Sequence, residues 1–114
     1  MRVFVHFLTG RVDKDRMIEK RPCVYILANH RNGTLYVGVT RDIARRSFEH
    51  RTGAVAGFTH RYNVHLLVFV EFHESMAEAV MREKRIKKWR RAWKLALIER
   101  DNPEWRDIYD DLML

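Results

Sequence analysis

The sequence predicts one α+β domain. Two short alternating apolar runs flank Asn32-Gly33, the dipeptide most favoured where a hairpin needs positive φ. A third apolar run, Val64 to His73, has strand character, and stretches of helical period lie between and after the strands. The domain is placed at residues 22–114, and residues 1–21 are set apart as an N-terminal extension.

Each element has a local reason. Met1 to Leu8 is apolar but Thr9 to Lys20 holds no clean period, so residues 1–16 read as an appendage from an upstream start codon. The alternative is that Val3 to Leu8 adds an edge strand. Cys23 to Ala28 and Thr34 to Thr40 form the hairpin. A two-residue loop pairs Asn29 with Tyr36; a four-residue loop, Asn29 to Asn32, pairs Tyr25 with Tyr36. Either puts both phenols on one face, and a shared site favours the longer loop. Thr40 is placed as N-cap of the next helix, with Asp42 in its first turn. Arg46 and His50, four apart, share a face of that helix, whereas Arg45 points about 100° away.

Thr52 to Asn63 carries two glycines and no period, and reads as irregular backbone. In the third strand Val64, Leu66, Val68, Val70 and Phe72 fill one face and Leu67 and Phe69 the other. Burial on both faces predicts a central strand between helical layers. Ser75-Met-Ala-Glu78 is a capping box opening a long helix with an Ala79, Ile86, Trp89, Trp93, Leu97 stripe. Lys84, Lys87, Lys88, Arg91 and Lys94 cover its other side. Asn102 is read as N-cap and Pro103 as the first residue of a last short helix, buried through Trp105, Ile108 and Leu112.

With 114 residues the chain holds one core, and 46% hydrophobic with 32% charged residues is a globular composition. No apolar run approaches the ~20 residues that span a bilayer, and Val3 to Leu8 is too short for a signal-peptide core. The single cysteine, Cys23, makes no internal disulfide and reads as a small buried residue; a reducing cytoplasm is the expected address. Twenty-two Lys and Arg against fifteen Asp and Glu, a net charge of +7, favour a polyanionic partner, nucleic acid before membrane.

Some residues carry chemistry beyond their place in the fold. Tyr25, Tyr36, Arg46 and His50 converge if hairpin and helix meet, although each alone has a plainer reading as a strand tyrosine or a solvated helix residue. His60, Arg61 and Tyr62 bring a cation and two flat rings together, a trio suited to gripping a nucleic-acid strand. Glu83 is the one acid between Arg82 and Ile98. It fits either an i,i+4 pair with Lys87 or a hard cation such as Mg²⁺, which needs only one or two carboxylates.

Taken together, these residues resemble the GIY-YIG nuclease superfamily, in its small single-domain bacterial form. The resemblance rests on Cys23-Val24-Tyr25 and Tyr36-Val37-Gly38, then Asp42-Ile43-x-Arg45-Arg46 with His50, and Thr59 and Arg61. It continues through Arg82-Glu83-Lys84-x-Ile86-Lys87-x-Trp89 to Asn102-Pro103-Glu104-Trp105. It implies a three-stranded antiparallel sheet flanked by helices and single-metal hydrolysis of DNA phosphodiesters. It implies catalytic roles for Tyr25, Tyr36, Arg46, His50 and Glu83, with Glu83 holding Mg²⁺ or Mn²⁺. Nucleic-acid contacts are expected at Arg45, Arg61, Lys84, Lys87, Lys88 and Arg91. Cys23 replaces the first signature glycine, and a later asparagine of larger relatives has no assured match. The expected activity is a structure-selective or weakly sequence-specific DNA endonuclease, monomeric or weakly dimeric and away from membranes. The alternative is a non-catalytic nucleic-acid-binding module on the same fold. A protein adaptor working through Asp107, Asp110 and Asp111 is the third reading.

Overall fold

The computed structural model describes residues 20–54 and 57–112. The expectations for residues 1–16, including an edge strand at Val3 to Leu8, lie outside the described residues. Eight elements follow: β1 (Cys23–Ala28), β2 (Leu35–Thr40), α1 (Ile43–Thr52), α2 (Phe58–Arg61), β3 (Leu66–Phe72), α3 (Met76–Lys88), α4 (Arg91–Asp101) and α5 (Tyr109–Leu112). The strands form the expected antiparallel sheet, in the order β2-β1-β3.

The hairpin register differs from both candidates. Tyr25 pairs with Gly38 and Leu27 with Tyr36. The backbone N–H of Asn29 bonds to Thr34 O, which leaves His30 to Gly33 as the four-residue loop. All three registers differ by even steps, so the phenols still share a face; here they are diagonal neighbours.

Among the described strands β1, not β3, is the central one and β3 lies at an edge. Its pairing with β1 shifts between Ile26 and Leu27, where Val68 has no partner residue: Phe69 faces Ile26 and Leu67 faces Leu27. This bulge breaks the expected alternation. Leu67, Val70 and Phe72 pack on one face of the sheet with Val64, whereas Leu66, Val68 and Phe69 pack on the other. Burial on both faces reports layers above and below a strand and says nothing of what lies beside it. The outer edge of β3 is met by the segment just before α5: Ile108 N–H donates to Leu67 O, and Leu67 N–H donates to Asp107 Oδ1.

Asn102 holds this arrangement together and is not the N-cap of a helix. It closes α4 as its C-cap, and its buried Nδ2 donates to Val68 O and to Arg106 O. Its Oδ1 accepts from Arg106 N–H. One amide thereby satisfies the carbonyl that the bulge exposes.

The remaining helices flank the sheet. Ile43 of α1 and Tyr109 of α5 pack on the Tyr25 face, whereas Ala79 and Ile86 of α3 and Leu97 and Ile98 of α4 pack on the other. Asp42, not Thr40, caps α1: its side chain accepts from Arg45 N–H, while Thr40 Oγ1 accepts from Asp42 N–H. Gly53, left-handed at φ 79°, ends the helix with Gly53 N–H on His50 O and Ala54 N–H on Glu49 O. Ser75 caps α3 by accepting from Glu78 N–H.

The expected long helix is two helices, since Trp89 and Arg90 are both extended. Trp89 is half-buried beneath the Arg82 guanidinium, but Trp93 leaves the core and is 52% exposed, with Arg90 stacked on it. Two of the three acids of the adaptor reading are used internally. Asp107 pairs with Arg51, and the buried Asp111 with Arg106.

Candidate active site

The sheet face carrying Tyr25 and Tyr36 meets α1, and three rings come together there. The Tyr25 and Tyr36 ring centroids are 6.2 Å apart, and the His50 ring lies 5.9 Å from Tyr25 and 5.5 Å from Tyr36. Tyr25 is fully buried at the centre of β1, with its phenol oxygen 3.1 Å from His50 Nε2. The close approach depends on Gly38. A Cβ at that position would stand 2.5 Å from Tyr25 Cζ and 2.5 Å from its phenol oxygen, so the strand opposite Tyr25 has room only for glycine.

His50 is 5% exposed and has a partner on each ring nitrogen, since its Nδ1 lies 2.9 Å from Thr59 Oγ1. Thr59 appears in the resemblance without a role, and nothing in its sequence surroundings marks it as this partner. It is the buried residue of α2, the short helix that replaces part of the expected irregular stretch. Phe58, its neighbour, stacks on Tyr36 at 6.3 Å and meets Tyr62 in a tilted contact at 4.8 Å. With Phe58 45% and Tyr62 47% exposed and Arg61 near the Tyr62 ring, an aromatic ledge leads outward from the ring cluster. His60 is exposed on the same turn.

Burial pushes the Tyr25 phenol far above its ordinary range, with the Arg46 guanidinium beside it pulling the other way. Arg46 is itself raised, chiefly by Tyr25, and shares Glu49 with Arg45 at 3.2 and 3.5 Å. For His50, burial first and the Arg46 cation second hold the pKa below its ordinary 6.5, while Glu49 raises it. A histidine kept neutral in the fold adds stability that is complete above the unfolded value. That stability is lost as the pH falls from there through the folded pKa, because the unfolded chain takes the proton first. Melting temperature should therefore fall on acidification below about pH 6.5, and His50→Gln should lessen that fall. An identical pH slope in the variant would show that His50 is not held neutral.

Glu83 lies in the other layer. It shares a stripe of α3 with Ala79 and Ile86, packed against the face opposite the tyrosines, is 8% exposed, and pairs with Lys87 Nζ at 2.6 Å. The structure thus brings Tyr25, Tyr36 and His50 together with Arg46 alongside, and sets Glu83 across the sheet. Among the described residues no three His, Cys, Asp or Glu side chains gather as a metal cage. A lone buried carboxylate in a basic helix fits instead a hydrated hard cation that takes its remaining ligands from a substrate phosphate.

The residues expected to contact nucleic acid, Arg45, Arg61, Lys84, Lys87, Lys88 and Arg91, are all exposed. Arg91 also donates through Nη2 to Asn32 O at 2.7 Å and Gly33 O at 2.6 Å, tying α4 to the hairpin loop. Cys23 is buried, as expected, and burial raises its thiol pKa far above the ordinary range. No helix among the described residues is long and apolar enough to cross a membrane.

The family described as the GIY-YIG catalytic domain matches residues 21–96. A UPF0213 protein of Halobacterium salinarum is 42% identical over 66 residues, covering 58% of this chain and 86% of its own length. A UPF0213 protein of Staphylococcus saprophyticus is 37% identical over 68 residues, covering 60% and 83%, and one of Staphylococcus aureus is 41% identical over 69, covering 60% and 83%. No solved structure matches the chain significantly. The matched span runs from β1 through the first turns of α4 and holds the tyrosines, Arg46, His50 and Glu83, so the chain belongs to the GIY-YIG family, a family of nucleases.

Proposed function

We propose that this protein is a metal-dependent DNA endonuclease, structure-selective or weakly sequence-specific. The observation that carries this reading is the packing of Tyr25, Tyr36 and His50 into one cluster beside Arg46, at the positions the family signature occupies. Among the described residues β2 is an edge strand, so a site that includes Glu83 runs across that edge, with the rings on one side and the carboxylate on the other.

In this site Arg46 donates to the non-bridging oxygens of the scissile phosphate, where negative charge grows in the transition state. Tyr36, half-exposed and outermost of the three rings, faces the attacking water. Tyr25 holds the water and passes its proton toward His50, with which it is already within hydrogen-bond distance. The chemistry that a divalent cation on Glu83 supplies when bound is neutralisation of phosphate charge and of the departing 3′-oxygen. The exposed Phe58–Tyr62 ledge with Arg61 offers flat surfaces and a cation to the strand entering the site.

The test incubates purified protein with labelled branched, nicked and single-stranded DNA in Mg²⁺ or Mn²⁺. Cleavage products are expected; binding without cutting under any divalent metal leaves the binding-module reading in its place. Lys84 and Lys88 are exposed on α3 and are expected to meet phosphates. Changing both to Gln should flatten the dependence of log affinity on log salt by about 0.9 for each duplex phosphate that is no longer neutralised. An unchanged slope places the footprint elsewhere, with Arg45 and Arg61 the next residues to change.

A further inference from the structure

We infer that Thr59 is a positioning residue for this site: its hydroxyl accepts the Nδ1 proton of His50 and so leaves the Nε2 lone pair facing the Tyr25 phenol. The inference rests on the reading of Tyr25 and His50 as part of a nuclease centre, and adds to it a residue from a different element.

Three buried polar side chains form a chain, from Thr59 Oγ1 to His50 Nδ1 at 2.9 Å and from His50 Nε2 to the Tyr25 oxygen at 3.1 Å, and Arg46, which can only donate, reaches the same phenol oxygen. A neutral imidazole carries one N–H and one lone pair, so its two neighbours must play opposite roles. A threonine hydroxyl can donate or accept; the phenol decides the direction. Buried at 1% exposure, Tyr25 keeps its proton and needs an acceptor, which is Nε2. The imidazole proton then sits on Nδ1, where Thr59 receives it and no buried N–H is left unpaired.

The backbone around Thr59 suits this task. Gly57 opens α2 at φ 102°, and Thr59 alone of α2 turns inward, at 4% exposure. Val64 N–H donates to Thr59 O at 2.9 Å and pins the turn against the start of the third strand's segment. The same turn lays Phe58 on Tyr36, so α2 braces the ring cluster from inside and outside together.

The proposed tautomer has a consequence for proton flow. When the attacking water gives a proton to the Tyr25 oxygen, the phenol's own O–H bond breaks and a new N–H bond forms at Nε2. His50 becomes an imidazolium with Thr59 still accepting from Nδ1–H, and the phenol ends as it began. With the opposite tautomer, Nε2 already carries a proton and cannot receive one.

The test is a long-range ¹H–¹⁵N spectrum of His50 in wild type, Thr59→Val and Thr59→Ser, each checked for the native fold by its backbone amide spectrum. The wild type is expected to show protonated Nδ1 and unprotonated Nε2. Thr59→Val should shift His50 toward the Nε2–H form, and Thr59→Ser should restore the wild-type pattern. In cleavage assays Thr59→Val should lower kcat by about 10²-fold with little change in KM, the low end of the contribution of an acid–base group. Thr59→Ser should recover most of that activity. A wild-type His50 protonated on Nε2, or a folded Thr59→Val with unchanged ¹⁵N shifts, overturns the proposal. If the spectra behave as expected while the wild type cuts no DNA, the nuclease reading fails and the placement of His50 by Thr59 stands.

Discussion

Glu83→Gln is expected to abolish divalent-dependent DNA cleavage while leaving metal-free DNA binding intact or slightly tighter. The fall should be about 10³-fold or more, because a metal's stabilisation of developing phosphate charge is worth several kcal/mol. Structure should change little. Glutamine keeps the shape of the side chain between Ala79 and Ile86, and the former partner, Lys87, is half in solvent and can hydrate. The ion pair given up is an i,i+4 helix pair, worth about 0.3–0.5 kcal/mol when exposed. Cleavage, binding without metal and melting temperature, measured on the same preparation, separate the roles. Wild-type cutting by the variant would exclude Glu83 as the metal ligand. A steep fall in melting temperature alongside absent activity would instead make Glu83 a structural residue whose pairing with Lys87 the fold requires.

The position of Glu83 also shows how far the sequence could be read. Its place on the border of the tryptophan stripe follows from helical spacing, and spacing puts it on the sheet-facing side of α3 as found. Which sheet face α3 covers is a tertiary fact that no period encodes. The hairpin behaves similarly. Alternation and Asn32-Gly33 locate both strands and put Tyr25 and Tyr36 on one face, yet three loop placements keep those faces. The observed register places glycine opposite Tyr25, and the reason appears only when the phenol's volume is set against Gly38.

Elsewhere local signals were silent. No proline or glycine lies at Trp89-Arg90, so a helical stripe drawn through Trp93 looks continuous although the chain turns there. The bulge at Val68 left no mark in an unbroken apolar run. Asn102-Pro103 resembles a helix start because an asparagine beside a proline is the usual N-terminal pattern. The amide is taken instead by Val68 O and Arg106, partners that only the folded chain supplies. The gathering of Tyr25, Tyr36, Arg46 and His50 was readable from spacing joined to resemblance, whereas the bond from Thr59 to His50 spans the loop and has no periodic signature.

Gly38→Ala is expected to do more damage than any other single-methyl change on the tyrosine face. The added Cβ would lie 2.5 Å from Tyr25 Cζ and 2.5 Å from its phenol oxygen, on a side chain that is buried between β2, His50 and the core and has no free direction to move. Overpacking of this kind costs about 1–3 kcal/mol. In a domain of this size that corresponds to a melting temperature lower by about 4–12 °C. Relief by rotation of Tyr25 would break its bond to His50 Nε2, so activity should fall further than stability alone explains. A double-mutant cycle isolates the cause. In a Tyr25→Leu background the ring is gone, and Gly38→Ala should cost at least about 1 kcal/mol less than in wild type. Equal costs in the two backgrounds would mean that the glycine answers a backbone need of β2, and that Tyr25 does not depend on the space it leaves.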